Sequence, residues 1–221
     1  MAKLTFEDIK NNEEIITYIE KGNANLGAMG YTEHSRAHAV KVAYTAAGIL
    51  EDLGFSAHQI ELCKIAGYMH DIGNTVNRTD HAHTGALMSF QILTRLGMDP
   101  EDIACVIAAI GNHDEKTGHA VDPVSAALIL ADKTDVRRNR VRNTDRSSFD
   151  IHDRVNYAAI SSKLTTDIEK KEILLDIELD DEICSILDYF EIFLERMLMC
   201  RRAAEILGLK FKMKANGSKV L

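Results

Sequence analysis

The chain has 221 residues, of which 46% are hydrophobic and 27% charged, and a net charge of −8. This balance suits a folded globular protein with a sizeable core and excludes an intrinsically disordered one. It also makes attraction to nucleic acid or acidic lipid something to be argued for, not the default expectation.

No stretch is apolar for long enough to span a bilayer, and Met1-Ala2-Lys3-Leu4-Thr5-Phe6-Glu7-Asp8 meets acidic residues at once, so no signal peptide is expected. Cys63, Cys105, Cys184 and Cys200 form no Cys-x-x-Cys pair and read as reduced thiols of a cytoplasmic protein.

From Phe6 to about Glu20 the apolar positions Ile9, Ile15, Ile16 and Ile19 recur at helical spacing, and Asn23 to Gly30 reads as a small-residue linker. A helix is predicted from near Thr32 to Leu53, closed by Gly54. Its apolar face carries His38, Val42, Thr45 or Ala46, Ile49 and Leu53, with His34 one turn earlier. Ser56-Ala57-His58-Gln59 is a capping box, and the helix it opens runs through Ile65-Ala66-Gly67-Tyr68-Met69 to His70-Asp71. Gly73 is predicted to terminate it in the left-handed conformation.

A polar loop, Asn74 to Asp80, leads into a helix from His81 to Leu96, with His81, Gly85, Met88 and Ile92 on one face. Asp99-Pro100 and Asp122-Pro123 each start a further helix. The first buries Ile103, Val106, Ile107 and Ile110, with His113 one turn on, and the second carries Val124, Leu128 and Asp132 in line.

From Asp150 the composition changes. Ala158 to Thr166 and Lys171 to Leu179 predict a hairpin, Asp181 to Leu207 a long amphipathic helix stopped by Gly208, and Leu209 to Lys214 an edge strand before an Asn216-Gly217 turn. Phe190, Phe193, Met197 and Met199 read as core. The expected fold is mostly α, a helical bundle over residues 1–149 followed by a small α+β appendage over 150–221. The appendage suits a lid, a substrate-selecting wall or the interface of a homodimer.

Successive helices thus place His38, His70-Asp71, His81, His113 and Asp132 on inward stripes or buried ends. Each alone is more often a satisfied core residue, but several around one acidic pair need a compensating charge. A histidine-rich set with two carboxylates suits iron, manganese, cobalt, nickel or zinc, and an aspartate can bridge two ions through its two oxygens.

His38-Ala39-Val40-Lys41-Val42, His70-Asp71-Ile72-Gly73 and Ala131-Asp132 resemble the His, His-Asp, Asp signature of the HD-domain superfamily of metal-dependent phosphohydrolases, over roughly residues 30 to 145. His81 and the Gly111-Asn112-His113-Asp114-Glu115 segment resemble its two-metal branch. The resemblance implies an HD-domain helical bundle in which His38, His70, Asp71 and Asp132 hold one divalent transition metal, iron or manganese foremost. It implies that Asp71 bridges to a second ion held by His81 and His113, so that Asp71, His81 and His113 are the catalytic set. His34 and His83 are left as imidazoles beside the site, either supporting the ligands or contacting substrate.

Two departures matter. No Gly-Tyr-Pro element follows His113, which disfavours cyclic di-GMP, and Asn74 stands where many relatives have lysine. A phosphate-facing cation is then expected from Arg78 or Lys133, or from the run Arg137, Arg138, Arg140, Arg142 and Arg146, where a continuing helix would point Arg137 and Arg140 the same way as Lys133.

The expected substrate is a small phosphorylated molecule of nucleotide type, with RNA less favoured and no membrane partner. Two other readings accompany this one. The same ligand order resembles the mixed-valent di-iron HD oxygenases, of which myo-inositol oxygenase is an example, and a metal-bound HD module could sense a nucleotide without turning it over.

Overall fold

A computed structural model describes residues 4–220. Met1 to Lys3, at the head of the acidic N-terminal segment, and Leu221 lie outside the described residues. The helices are α1 (Phe6–Lys10), α2 (Glu13–Ala28), α3 (Arg36–Asp52), α4 (Ala57–Met69), α5 (His81–Arg95), α6 (Pro100–Gly111), α7 (Pro123–Lys133), α8 (Ile151–Ala158) and α9 (Ile186–Ile206). The strands are β1 (Ala159–Asp167), β2 (Glu172–Leu179), β3 (Lys210–Ala215) and β4 (Ser218–Lys219). The architecture is mostly α with one small sheet near the C-terminus. Among the described residues no helix is long and apolar enough to cross a membrane.

Local chemistry sets most boundaries. Ser56 and Gln59 form the reciprocal capping box that opens α4. Asp99-Pro100 opens α6 and Asp122-Pro123 opens α7, each with the aspartate side chain accepting from a first-turn N–H. Helix α7 is the axis of the bundle. Every residue from Val124 to Ala131 is buried, so it is apolar all round and packs against α3, α4, α6 and α9. Its C-terminal end, Asp132-Lys133, is thereby delivered into the interior.

Four expectations are corrected. Asn23 to Ala28 is the last part of α2 and no linker: Gly22 lets α2 approach the Asn74-Thr75 backbone, and Asn25 Nδ2 donates to the Thr75 carbonyl at 3.0 Å. The third helix starts at Arg36 and not near Thr32, because Ser35 caps its first N–H groups. The last helix of the bundle stops at Lys133, so the arginines beyond it lie in extended and 3-10 backbone and share no helical face. Strand β3 is not an edge: it runs parallel to β2, across the α9 crossover, and antiparallel to β4. The hairpin β1–β2 and the positive-φ turn Asn216-Gly217 form as expected. The buried hydrophobic cluster is continuous from Phe6 in α1 to Ala215 in β3.

Gly73 is not left-handed either. It lies in a 3-10 turn, Ile72–Thr75, pressed against the start of α5, where a Cβ would sit 2.1 Å from the His81 carbonyl oxygen and 2.6 Å from the Gly85 nitrogen. The glycine is required by close approach, and Gly85 meets it from the other side. Gly73→Ala must therefore push α5 away, at an expected cost of about 1–3 kcal/mol. Gly48→Ala, inside α3 with nothing within 4 Å of the added Cβ, should instead gain about 0.5–1 kcal/mol. Thermal melts of the two variants check this contrast.

Candidate metal centre

Five helix ends meet at one point. His70 caps the C-terminus of α4, His113 follows that of α6, and Asp132 lies in the last turn of α7. His38 lies in the first turn of α3 and His81 opens α5. Three helix C-termini with partial negative charge thus face a single spot, an arrangement that favours a cation there.

The imidazoles are oriented alike. His70 Nδ1 donates to the Gly67 carbonyl at 2.7 Å and His113 Nδ1 to the Ile110 carbonyl at 2.6 Å, each using a carbonyl in the last turn of the preceding helix. His81 Nδ1 donates to the Arg78 carbonyl at 3.1 Å. His38 sits at a helix N-terminus, where the free backbone groups are donors, so its acceptor comes from elsewhere: Asp135 Oδ2, at 2.8 Å from Nδ1. With every Nδ1 committed, every Nε2 presents a lone pair inward.

These nitrogens converge on Asp71. Its Oδ2 lies 3.2 Å from His70 Nε2 and 3.7 Å from His38 Nε2, and its Oδ1 lies 3.5 Å from His81 Nε2 and 3.9 Å from His113 Nε2. Asp132 Oδ1 stands 3.3 Å from His38 Nε2 and 3.6 Å from His70 Nε2. His81 and His113 face each other, Nε2 to Nε2, at 3.1 Å. In each of three overlapping groups, His38-His70-Asp71, His70-His113-Asp132 and Asp71-His81-His113, the ligand atoms lie within 4.8 Å of one another.

His38 Nε2, His70 Nε2 and Asp71 Oδ2 are buried with no hydrogen-bond partner among the described residues. Such groups cost about 1–3 kcal/mol each when unsatisfied. A divalent cation ligated by all three removes that cost, so the residues fit a metal.

Without a metal, a proton takes part of this role. Burial works against a charged His70, but the carboxylates of Asp71 and Asp132 outweigh it and push the imidazole up to about 10. A metal binding near pH 7 must displace that proton. Calorimetry in buffers of different ionisation enthalpy is expected to show about one proton released from His70, and affinity should climb as pH rises toward 10. In the metal-free chain the raised value stabilises the fold fully below about 6.5 and less as pH passes through 10.

The other residues that the sequence points to fall into four groups. Arg78 and Lys133 are at the centre. Arg78 Nη1 is 3.9 Å from Asp71 Oδ1 and donates to His81 Nε2 at 3.3 Å, and Lys133 Nζ is 2.8 Å from Asp132 Oδ2. His34 is beside it, its ring centroid 5.7 Å from that of His38, its Nδ1 donating to the Thr32 carbonyl, and its imidazole held neutral by burial. His83 is exposed and bound to Asp80 on the outer side of α5.

Arg137 and Arg140 stand behind His38, not in the centre. Arg137 forks onto both oxygens of Asp135 at 2.8 and 3.0 Å, while Arg140 donates to the carbonyls of Glu33 and Asp135. Two contacts have no local mark in the sequence. Asp135 is the acceptor for His38, and its only trace in the chain is an acid three positions after Asp132 at the head of a cationic run. Asn74 is 1% exposed and donates to Asp71 Oδ1 at 2.8 Å, steadying that carboxylate.

The HD domain family profile matches residues 36–140, which contain every one of these converging side chains. The chain carries an HD domain. An HD domain implies divalent-metal binding, and the three His/Asp groups are where such an ion could be held. An uncharacterized protein of Methanocaldococcus jannaschii is 26% identical over 206 residues, covering 82% of this chain and 78% of that one. Ribonuclease Y of Thermosipho melanesiensis is 31% identical over 114 residues, covering 51% of this chain and 21% of the ribonuclease. The crystal structure of a protein described as a predicted HD superfamily hydrolase, from an uncultured Thermotogales bacterium, overlaps 56% of this chain and 67% of its own at 24% identity and a TM-score of 0.44.

Proposed function

We propose that the HD domain is a metal-dependent phosphohydrolase that acts on a small nucleotide-like phosphomonoester or phosphodiester. The observation that carries this reading is the division of Asp71 between two imidazole pairs, His38 and His70 on Oδ2, His81 and His113 on Oδ1. That division suits a pair of ions, with His38, His70 and Asp132 on one side and His81 and His113 on the other, iron or manganese being the first candidates. When bound, such ions supply an acidified water near neutral pH and positive charge for phosphoryl oxygens.

The chain's own residues complete the work. Asp71, steadied by Asn74, sits where it can hold the attacking water in line. Arg78 is a quarter exposed beside Asp71 and offers the planar, paired N–H donors that fit a phosphoryl group. The buried Nδ1 contacts keep the imidazoles from turning and keep bulk water out from behind them.

A small substrate is favoured over a long polyanion because the basic run is already committed. Arg137 and Arg140 hold Asp135, Arg138 holds Asp180 and the Tyr157 carbonyl, Arg142 holds Asn23 and Arg146 the Tyr157 hydroxyl. Ribonuclease Y is, by its name, active on RNA, and its partial match here supports a phosphodiester bond as a further substrate type to test.

The test is phosphate or nucleoside release from a broad panel of nucleotides and phosphodiesters with manganese, iron, cobalt, nickel or zinc. Release that requires metal is expected for at least one small nucleotide. Silence across the panel from protein with verified metal content, together with oxygen uptake by the iron form, would replace this reading with an oxygenase.

A further inference from the structure

Lys133 does not stand free at the centre. Its ammonium is 5% exposed as a residue and lies 2.8 Å from Asp132 Oδ2, the oxygen turned away from the imidazoles, and 2.9 Å from Glu115 Oε2. The other oxygen of Glu115 is 3.2 Å from Nε of Arg196 on α9. The Arg196 guanidinium is itself set by Phe193, 1% exposed one turn earlier, over whose ring it lies at 4.6 Å. The result is an alternating row of charges, Asp132, Lys133, Glu115, Arg196, which starts on a metal-facing carboxylate and ends on the long helix that packs along α7.

We propose that Glu115 and Arg196 are positioning residues for this centre. They set how far the Lys133 ammonium is drawn onto the outer oxygen of Asp132, and so set how the centre divides its affinity between a metal cation and a phosphoryl anion. The physical argument is one of charge at short range in a poorly hydrated setting. An ammonium drawn toward Asp132 weakens that carboxylate as a metal ligand and strengthens the local attraction for an anion. Glu115 draws it back, and Arg196 in turn limits how strongly Glu115 can do so. The chain α9–Arg196–Glu115–Lys133 thereby makes residues beyond the HD domain part of its electrostatics.

The anion half of this proposal rests on the phosphohydrolase reading; the metal half does not. The experiment measures manganese binding to the metal-stripped full-length chain and inorganic phosphate binding to the manganese-loaded chain. Glu115→Gln leaves Lys133 with Asp132 alone and should weaken manganese binding about tenfold while tightening phosphate about tenfold. Arg196→Met should do the reverse, about threefold in each, the smaller effect reflecting its greater exposure.

Arg196→Lys should restore both constants, which separates charge from folding. Glu195→Gln, the same charge change as Glu115→Gln but on the exposed side of α9, should move neither. Opposite shifts of manganese affinity in Glu115→Gln and Arg196→Met support the proposal. Weakening in both, or no change beyond that of Glu195→Gln, overturns it. Failure of phosphate to bind any loaded form bears on the phosphohydrolase reading alone.

Discussion

Asp71→Asn is expected to lower phosphate release at least about a thousandfold and to strip most of the bound metal, while leaving the fold intact. The reason is the sharing of one carboxylate between two pairs of imidazoles. Asn has the same shape but offers one oxygen and an NH2 group, a donor that a cation cannot accept as a ligand. If the oxygen faces His38 and His70, the amide nitrogen faces His81 and His113; turned over, the first pair loses its oxygen. Neither orientation restores the site.

Burial alone would keep Asp71 protonated, but the charge and hydrogen bond of His70 hold it well below the usual carboxylate range, so the negative charge that Asn removes is present throughout the working pH range. Metal analysis of the purified variant, with circular dichroism as a check on folding, and release assays on the wild-type substrate decide the matter. Near-normal activity with normal metal content would mean the chemistry lies elsewhere.

The second large effect is expected away from the metal ligands, at Asp135. This carboxylate is 4% exposed and anchors four partners. His38 Nδ1 is at 2.8 Å, Lys41 Nζ at 2.7 Å, Arg137 is on both oxygens and Arg140 Nη1 is at 3.6 Å. Asp135→Asn keeps the shape but leaves the buried Arg140 without its counter-charge, an expected loss of about 3 kcal/mol. The same change removes the negative charge behind His38 and should weaken metal binding about tenfold.

The pH dependence follows in sign. Burial raises the Asp135 carboxyl, but the hydrogen bond from His38, the charge of Arg140 and the hydrogen bonds from Arg137 overcome this and hold it far below its ordinary value near 4. A depressed acid stabilises the fold above its unfolded value, and that contribution is lost as pH falls. The stability gap between wild type and Asp135→Asn should therefore be largest above about pH 5 and shrink steadily below 4. Urea melts across that range measure it. A gap that stayed constant to pH 2 would show that the charge of Asp135 does not carry the effect.

These two positions also show what a sequence can and cannot disclose. That Asp71 is a special position is legible because His70-Asp71 closes an apolar run in the chain itself, and the side chains that converge on it are legible because each sits at a helix end marked by local signals such as Asp122-Pro123. Asp135 is not, because its contact with His38 spans 97 positions and nothing local marks it. The arginines beside it looked like a substrate clamp for the same reason. A cationic run reads alike whether it faces solvent or encloses a buried acid.

Gly73 was found as a special position but for the wrong cause, since composition does not distinguish a left-handed turn from a close approach. The end of α2 was missed because small residues of low helix propensity are held helical by contacts with Asn74 and Thr75, a tertiary effect overriding a local one. The interior position of β3 depends on pairing with β2 across the whole of α9, which no local pattern records.

Asn74 illustrates a third case. The absence of lysine there was noticed as a gap in the phosphate-binding set, but the asparagine is buried under Asp71 and steadies it. A long cation in that place would have to displace the contact, so a phosphate-facing cation would have to come from another position, such as Arg78 beside Asp71.

The most direct test of the account is a crystal structure of the manganese-loaded chain with the metal located by anomalous scattering. The account predicts two peaks, one bounded by His38, His70 and Asp132 and the other by His81 and His113, with Asp71 on both. A single peak that leaves His81 and His113 unligated, or metal bound outside this group of helix ends, would contradict it.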